Sequence, residues 1–226
     1  MSRGRPALPP PTPERVARIP DVPLQGVDLA RATWAKHDHM WFFSTRSDDP
    51  DRSLRFDLER PHGTCYLATD PVAALIEKLA DPDDEVPLVS SAVVERLVVW
   101  TGQLAIPVTV ADVTARVARL TLEIGTLTPY DAGPWQWADA LHTDGRGGIT
   151  WRLRFDPGDG VGVAIFGPAS RPPDDLPDPG DWPDLADRTP ATRWLEELAD
   201  RFDIIEDVPA FGDLDHSEPP LGRRGR

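Results

Sequence analysis

Apolar residues recur at two different periods along this chain, and the alternation between them lays out its elements. In PVAALIEKLA (71–80), Val72, Leu75, Ile76 and Leu79 fall at helical spacing. Asp70 ahead of them is an N-cap residue, and Pro71 suits the first helical position. GTCYLAT (63–69) alternates instead, so it is expected to be a strand with Thr64, Tyr66 and Ala68 on one face and Cys65 and Leu67 on the other. HMWFFST (39–45) and VVERLVVWTGQL (93–104) read as further strands, and VTVADVTARVARL (108–120) as mixed, with a short helix from Asp112. PWQWADALHT (134–143) predicts a helix. GGITWRLRF and GVGVAIF predict two strands joined by the turn DPGDG. TPATRWLEELADRF (189–202) predicts a helix capped by Thr189 and begun by Pro190, followed by an edge strand at DIIED (203–207). The sum is an α+β domain built on antiparallel pairs, not a doubly wound parallel sheet.

Proline marks the margins of this pattern. Residues 1–13 predict a disordered Pro-rich leader, residues 14–208 a single domain and residues 209–226 a disordered tail. Within the domain, GPASRPPDDLPDPGDWPDL (167–185) predicts a long surface loop, because the segment after it is too short to fold alone. The 226 residues include 26 prolines and 38 acidic side chains, which accounts for a hydrophobic fraction of only 40%. A formal charge of −14 argues against a nucleic-acid backbone as partner, since phosphate binding needs a basic stripe. It leaves room for a basic protein partner, or for a small anion held by a few local arginines. The single cysteine forms no internal disulfide, and no Cys/His spacing suggests a metal. These features predict a cytoplasmic setting, with neither an apolar signal-peptide core near the N-terminus nor an apolar run long enough for a membrane. The Pro, Arg, Asp and Ala bias resembles that of a high-GC bacterial genome.

Candidate chemistry concentrates in RFDLERPHGTCYLATDPVAALIEKL (55–79). On the predicted helix, Glu77 lies opposite the mean of the apolar stripe, above the small side chains Ala73, Ala74 and Ala80. The residues alone also fit plainer readings: a solvated glutamate beside Lys78, a half-buried strand tyrosine at 66, a surface ion-pair arginine at 55. Trp135, Trp137 and Trp151 read as core, Cys65 as a buried strand residue, and His142 as a helix-terminal histidine. His37 and His39 lack metal-ligand spacing, and the glycines of GDGVGVAIFG precede a strand, so they form no dinucleotide fingerprint.

The order of these blocks narrows the choice. Arg55 opens RFD, Tyr66 opens YLA, and Glu77 closes AALIE eleven residues later; the strand GITWRLR and GVAIF follow. Over roughly residues 34–167 this series resembles the RES family, the toxins of Xre–RES toxin–antitoxin pairs. The resemblance implies a split β core similar to that of ADP-ribosyltransferases, with flanking helices. It also implies an enzyme that degrades NAD⁺ by cleaving the nicotinamide–ribose bond, as a glycohydrolase or phosphorylase, with an Xre-type antitoxin as partner. NAD⁺ enters as substrate; no cofactor or metal is implied. Carried over by motif position, Glu77, Tyr66 and Arg55 are the catalytic set. A carboxylate at Glu77 suits an oxocarbenium-like ribose. The planar fork of Arg55 suits a pyrophosphate. The ring of Tyr66 suits the nicotinamide face, with its hydroxyl on a polar edge. Arg154, Trp151 and Arg46 join Arg55 and Tyr66 as ligand-binding candidates.

The chain departs from the family pattern at several positions. The family's serine in the late strand falls at Leu153, and an early arginine falls at Phe43 with Arg46 nearby in its stead. Ser53 and Leu54 stand where glycines usually precede the arginine. These changes bear on turnover more than on fold. Two alternatives therefore stay open: a non-catalytic NAD-binding or interaction module, and an ADP-ribosyltransferase acting on a macromolecule.

Overall fold

A computed structural model describes residues 9–48, 53–79, 90–116, 132–153, 160–170 and 182–201. One eight-stranded sheet organises them: β1 (Asp21–Pro23), β2 (Asp28–Trp34), β3 (His62–Ala68), β4 (Leu97–Gln103), β5 (Thr109–Asp112), β6 (Gly148–Arg152), β7 (Val161–Pro168) and β8 (Asp187–Pro190), in the order β1-β5-β6-β7-β3-β2-β4-β8. Every pairing is antiparallel except β5 with β6. A parallel neighbour needs a crossover, and the chain between β5 and β6 contains the helix Ala132–Thr143. That helix is α4, following α1 (Pro13–Val16), α2 (Pro71–Leu79) and α3 (Ser91–Val94); α5 (Leu195–Arg201) closes the described chain. The α+β single-domain class expected from the pattern is the class observed.

Side-chain alternation gives the sheet two buried faces. On one, Ala30, Ala32, Ala68, Leu97, Val99, Ile149, Trp151 and Ala164 pack against Leu75 and Ile76 of α2, Trp137 and Leu141 of α4, and Leu198 of α5. On the other, Leu29, Cys65, Leu67, Val98, Trp100, Val163 and Ile165 are covered by Met40, Trp41, Phe43 and Leu185. In β4 the consecutive residues Leu97, Val98, Val99 and Trp100 divide between the two. Small residues on the helix-bearing face of β2 and β3 let α2 lie close. Asp70 caps it, its Oδ1 accepting the Ala73 N–H at 2.9 Å, as the sequence predicts.

Several expectations need correction. HMWFFST is not a ladder strand: only the isolated bridges Ser44–Thr64 and Thr45–Leu58 form there. Its rings serve as a lid, with Trp41 stacked on Phe43 at 5.8 Å and Trp182 edge-on to Phe43 at 5.0 Å. VVERLVVWTGQL begins as helix α3 before β4. Thr189 does not cap a helix. It lies in β8 opposite Val99, and a 3₁₀ turn at Ala191–Trp194 leads into α5. Strand β2, near the middle of the sheet, has no counterpart in the expected elements. The leader is described from residue 9 onward, and the Pro9 carbonyl accepts the Trp137 indole N–H at 3.0 Å. The turn joining β6 to β7, most of the 167–185 loop, DIIED and the tail from 209 lie outside the described residues.

Candidate active site

The site is built mainly from one stretch of chain: a turn at 53–57, strand β3 and helix α2, with β6 as the opposite wall. Tyr66 sits on the helix-bearing face of β3, where alternation places it, and packs partly buried against that core. Trp151 in β6 meets it edge-to-face, ring centroids 6.0 Å apart. Only β7, which pairs with both β6 and β3, lies between their strands. The Trp151 indole lies over Gly162, its register partner on β7; a Cβ there would stand 2.3 Å from the ring.

Arg55 enters from the turn. It is 5% exposed, and its guanidinium carbon lies 5.8 Å from the Trp151 ring centroid and 5.9 Å from that of Phe56. Phe56 in turn packs on Trp151 at 5.1 Å. Glu77, half-buried on α2, completes the group. Burial raises its carboxyl above the ordinary range, and the positive charge of Arg55 pulls it back. Arg55, Tyr66, Trp151 and Glu77, separated in the chain, therefore share one side of the sheet: a guanidinium beside two aromatic rings, its charge acting on the Glu77 carboxyl. The Trp151 Nε1–H is buried and has no hydrogen-bond partner among the described residues.

Asp57, the aspartate of RFD, proves central. It is fully buried, and its Oδ1 accepts the Ser44 hydroxyl at 2.6 Å and the Tyr66 hydroxyl at 3.1 Å; its Oδ2 accepts the Leu54 N–H at 2.8 Å. Burial raises this carboxyl, opposed by those hydrogen bonds and by the charge of Arg46. The Tyr66 oxygen also accepts the Phe56 N–H at 2.9 Å. The hydroxyl expected to meet a ligand's polar edge thus binds the turn. The one signal available for Asp57 was its place two residues after Arg55, which a turn aspartate shares.

Arg46 lies at the rim. It pairs with Asp139 of α4 at 3.0 Å and with exposed Glu59 at 3.1 Å, and its guanidinium covers the Trp135 ring at 5.2 Å. It ties α4 to the site's edge. Phe43, at the family's arginine position, is wholly buried on the opposite face of the sheet. Leu153 is buried in the core on the α2 side, so an apolar group fills the family's serine position. Arg154 lies outside the described residues. Cys65 points to the opposite face, beside Arg31, and burial pushes its thiol up. The rings of His142 and His62 stack edge-on at 4.4 Å, and burial and His62 hold His142 below the usual histidine value. Among the described residues no group of three or more His, Cys, Asp or Glu side chains is placed to hold a metal ion. No helix among them is long and apolar enough to cross a membrane.

The profile of the RES domain family matches residues 28–186, well over half of the chain and the whole of this site. The chain belongs to the RES domain family. A solved structure similar to this RES domain is the toxin of the M. tuberculosis MbcT–MbcA toxin–antitoxin complex, with a TM-score of 0.53 at 18% identity. The match covers 82% of this chain and 96% of that one, a likeness of fold. No curated protein matches the chain significantly.

Proposed function

We propose that this RES domain is a toxin that destroys NAD⁺ by cleaving the bond between nicotinamide and ribose, and that a small antitoxin protein holds it in check. The observation that carries the reading is the gathering of Arg55, Tyr66 and Trp151 on the side of the sheet that bears α2, with Glu77 within range of the Arg55 charge, inside the segment matched by the family. The chemistry needs these groups. The C–N bond breaks with its electron pair leaving on nicotinamide, which departs as a neutral ring. Positive charge then grows on the ribose, where an ionised Glu77 stabilises it. An oxygen of water or phosphate bonds to the same carbon, and the proton it carried passes to bulk water. Arg55 supplies a planar fork for the pyrophosphate, and the aromatic edges shape the wall against which the nicotinamide ring lies. The charge of Arg55 opposes the burial that raises the Glu77 carboxyl, so the pair acts as a unit. The antitoxin partner is supported by the similar toxin's place in a toxin–antitoxin complex and by a −14 charge suited to a basic surface.

The test is nicotinamide release from NAD⁺ by the purified protein. Wild type is expected to turn over, and Glu77→Gln to lose about 100-fold or more in kcat. Equal release by both at background rate would end the catalytic claim. Leu153 favours one second reading: with an apolar side chain at the family's serine position, the domain binds NAD⁺ without cleaving it. Calorimetric binding of intact NAD⁺ with no nicotinamide released would select that reading. Label from NAD⁺ appearing on a macromolecule would point instead to ADP-ribosyl transfer.

A further inference from the structure

We propose that Asp57 is a positioning residue: acting through the Tyr66 hydroxyl and the Leu54 amide, it aims the Arg55 guanidinium at the ligand. This role rests on the NAD⁺ reading of the site. The peptide groups on both sides of Arg55 are held. Ahead of it, the Leu54 carbonyl accepts the Trp135 indole N–H at 2.9 Å, and the Leu54 N–H is bound by Asp57 Oδ2 at 2.8 Å. After it, the Phe56 N–H donates to the Tyr66 oxygen at 2.9 Å, and the Phe56 carbonyl accepts the Thr64 hydroxyl at 2.8 Å. The Tyr66 hydroxyl can accept from Phe56 in that geometry because its own proton goes to Asp57. Asp57, Tyr66 and Phe56 thereby close a ring that fastens the turn to β3. With the backbone fixed on both sides and the buried guanidinium lying over the Trp151 and Phe56 rings, less freedom is left for Arg55 to lose on ligand capture. Tyr66 consequently offers the ligand its ring and not its hydroxyl proton.

Steady-state NAD⁺ cleavage by Asp57→Asn, Tyr66→Phe and the double variant tests this, alongside thermal melts. Asparagine keeps one acceptor oxygen but sets an N–H₂ against either the Leu54 N–H or the Tyr66 hydroxyl, so one of the two links from residue 57 is lost. Each single variant is expected to raise KM about tenfold with kcat within about threefold of wild type, the signature of lost ligand binding. The double variant is expected to be no worse than the poorer single, because both break one unit. Simple destabilisation would leave KM unmoved at temperatures well below the melt. Multiplying KM effects would refute the coupling while leaving the NAD⁺ reading intact. If Asp57→Asn does not fold, Tyr66→Phe decides alone, and a wild-type KM there overturns the proposal. A wild type that neither binds nor cleaves NAD⁺ removes both the function and this role.

Discussion

Replacing Gly162 with alanine tests the packing that sets Trp151. The added methyl would stand 2.3 Å from Cε2 and Cζ2 of the indole and 2.8 Å from Cδ2. Comfortable carbon contacts lie at about 3.5–4.0 Å, so the ring must retreat by more than an ångström. It has little space: Trp151 is 3% exposed, with Phe56 at 5.1 Å and Tyr66 at 6.0 Å. Overpacking of this kind costs about 1–3 kcal/mol, and for a chain of this size each kcal/mol lowers Tm by about 2–4 °C. The expected fall is therefore about 2–12 °C, read by thermal melt and by denaturant titration. The methyl is also expected to push the indole toward Arg55 and lower NAD⁺ cleavage in the protein that remains folded. A smaller partner should relieve the clash: Gly162→Ala combined with Trp151→Leu should be more stable than the sum of the singles by at least about 1 kcal/mol. A Gly162→Ala protein within about 0.5 kcal/mol of wild type, or strict additivity with Trp151→Leu, would refute the placement of the indole on Gly162.

Two further outcomes follow from the buried groups. Because burial raises the Glu77 carboxyl above its ordinary value, its contribution to stability is full below the ordinary carboxylate range and is lost as pH rises through the raised value. Glu77→Gln should thus melt above wild type at neutral pH, the gap closing toward acid. NAD⁺ cleavage by wild type should fall on acidification at a pH above the usual carboxylate range; Tm and rate against pH check both. Trp137→Phe should cost about 1–2 kcal/mol more than Trp151→Phe in denaturant titrations, since the first strands the Pro9 carbonyl and the second removes an N–H with no hydrogen-bond partner among the described residues.

The sequence carried the elements whose buried faces are lined by large apolar residues. Helix α2, strand β3, helix α4 and the β6–β7 pair follow from periodicity because Leu75, Ile76, Leu67, Trp137, Ile149 and Ile165 mark their inward positions. Strand β2 escaped because its inward residues on the α2 side are Ala30 and Ala32, which carry little hydrophobic signal, and because Arg31 interrupts the other face. HMWFFST misled in the opposite direction: the rings of Trp41 and Phe43 are buried, but in a coil that roofs the sheet. Arg55, Tyr66 and Glu77 were legible through their order. Asp57 was not, because a buried carboxylate and a turn carboxylate look identical until the donors around it are known.

Arg55, Asp57, Tyr66 and Glu77 all fall within 23 consecutive positions. A ligand wall drawn from so short a span closes with little loop entropy, since the cost of closure grows with loop length, by about 0.6 kcal/mol per doubling. The outermost strands, β1 and β8, sit at the far margins of the sheet from this span. They can fray without misaligning the chemistry, so amide exchange at β1 and β8 should run well ahead of that at β3 in a fully competent protein.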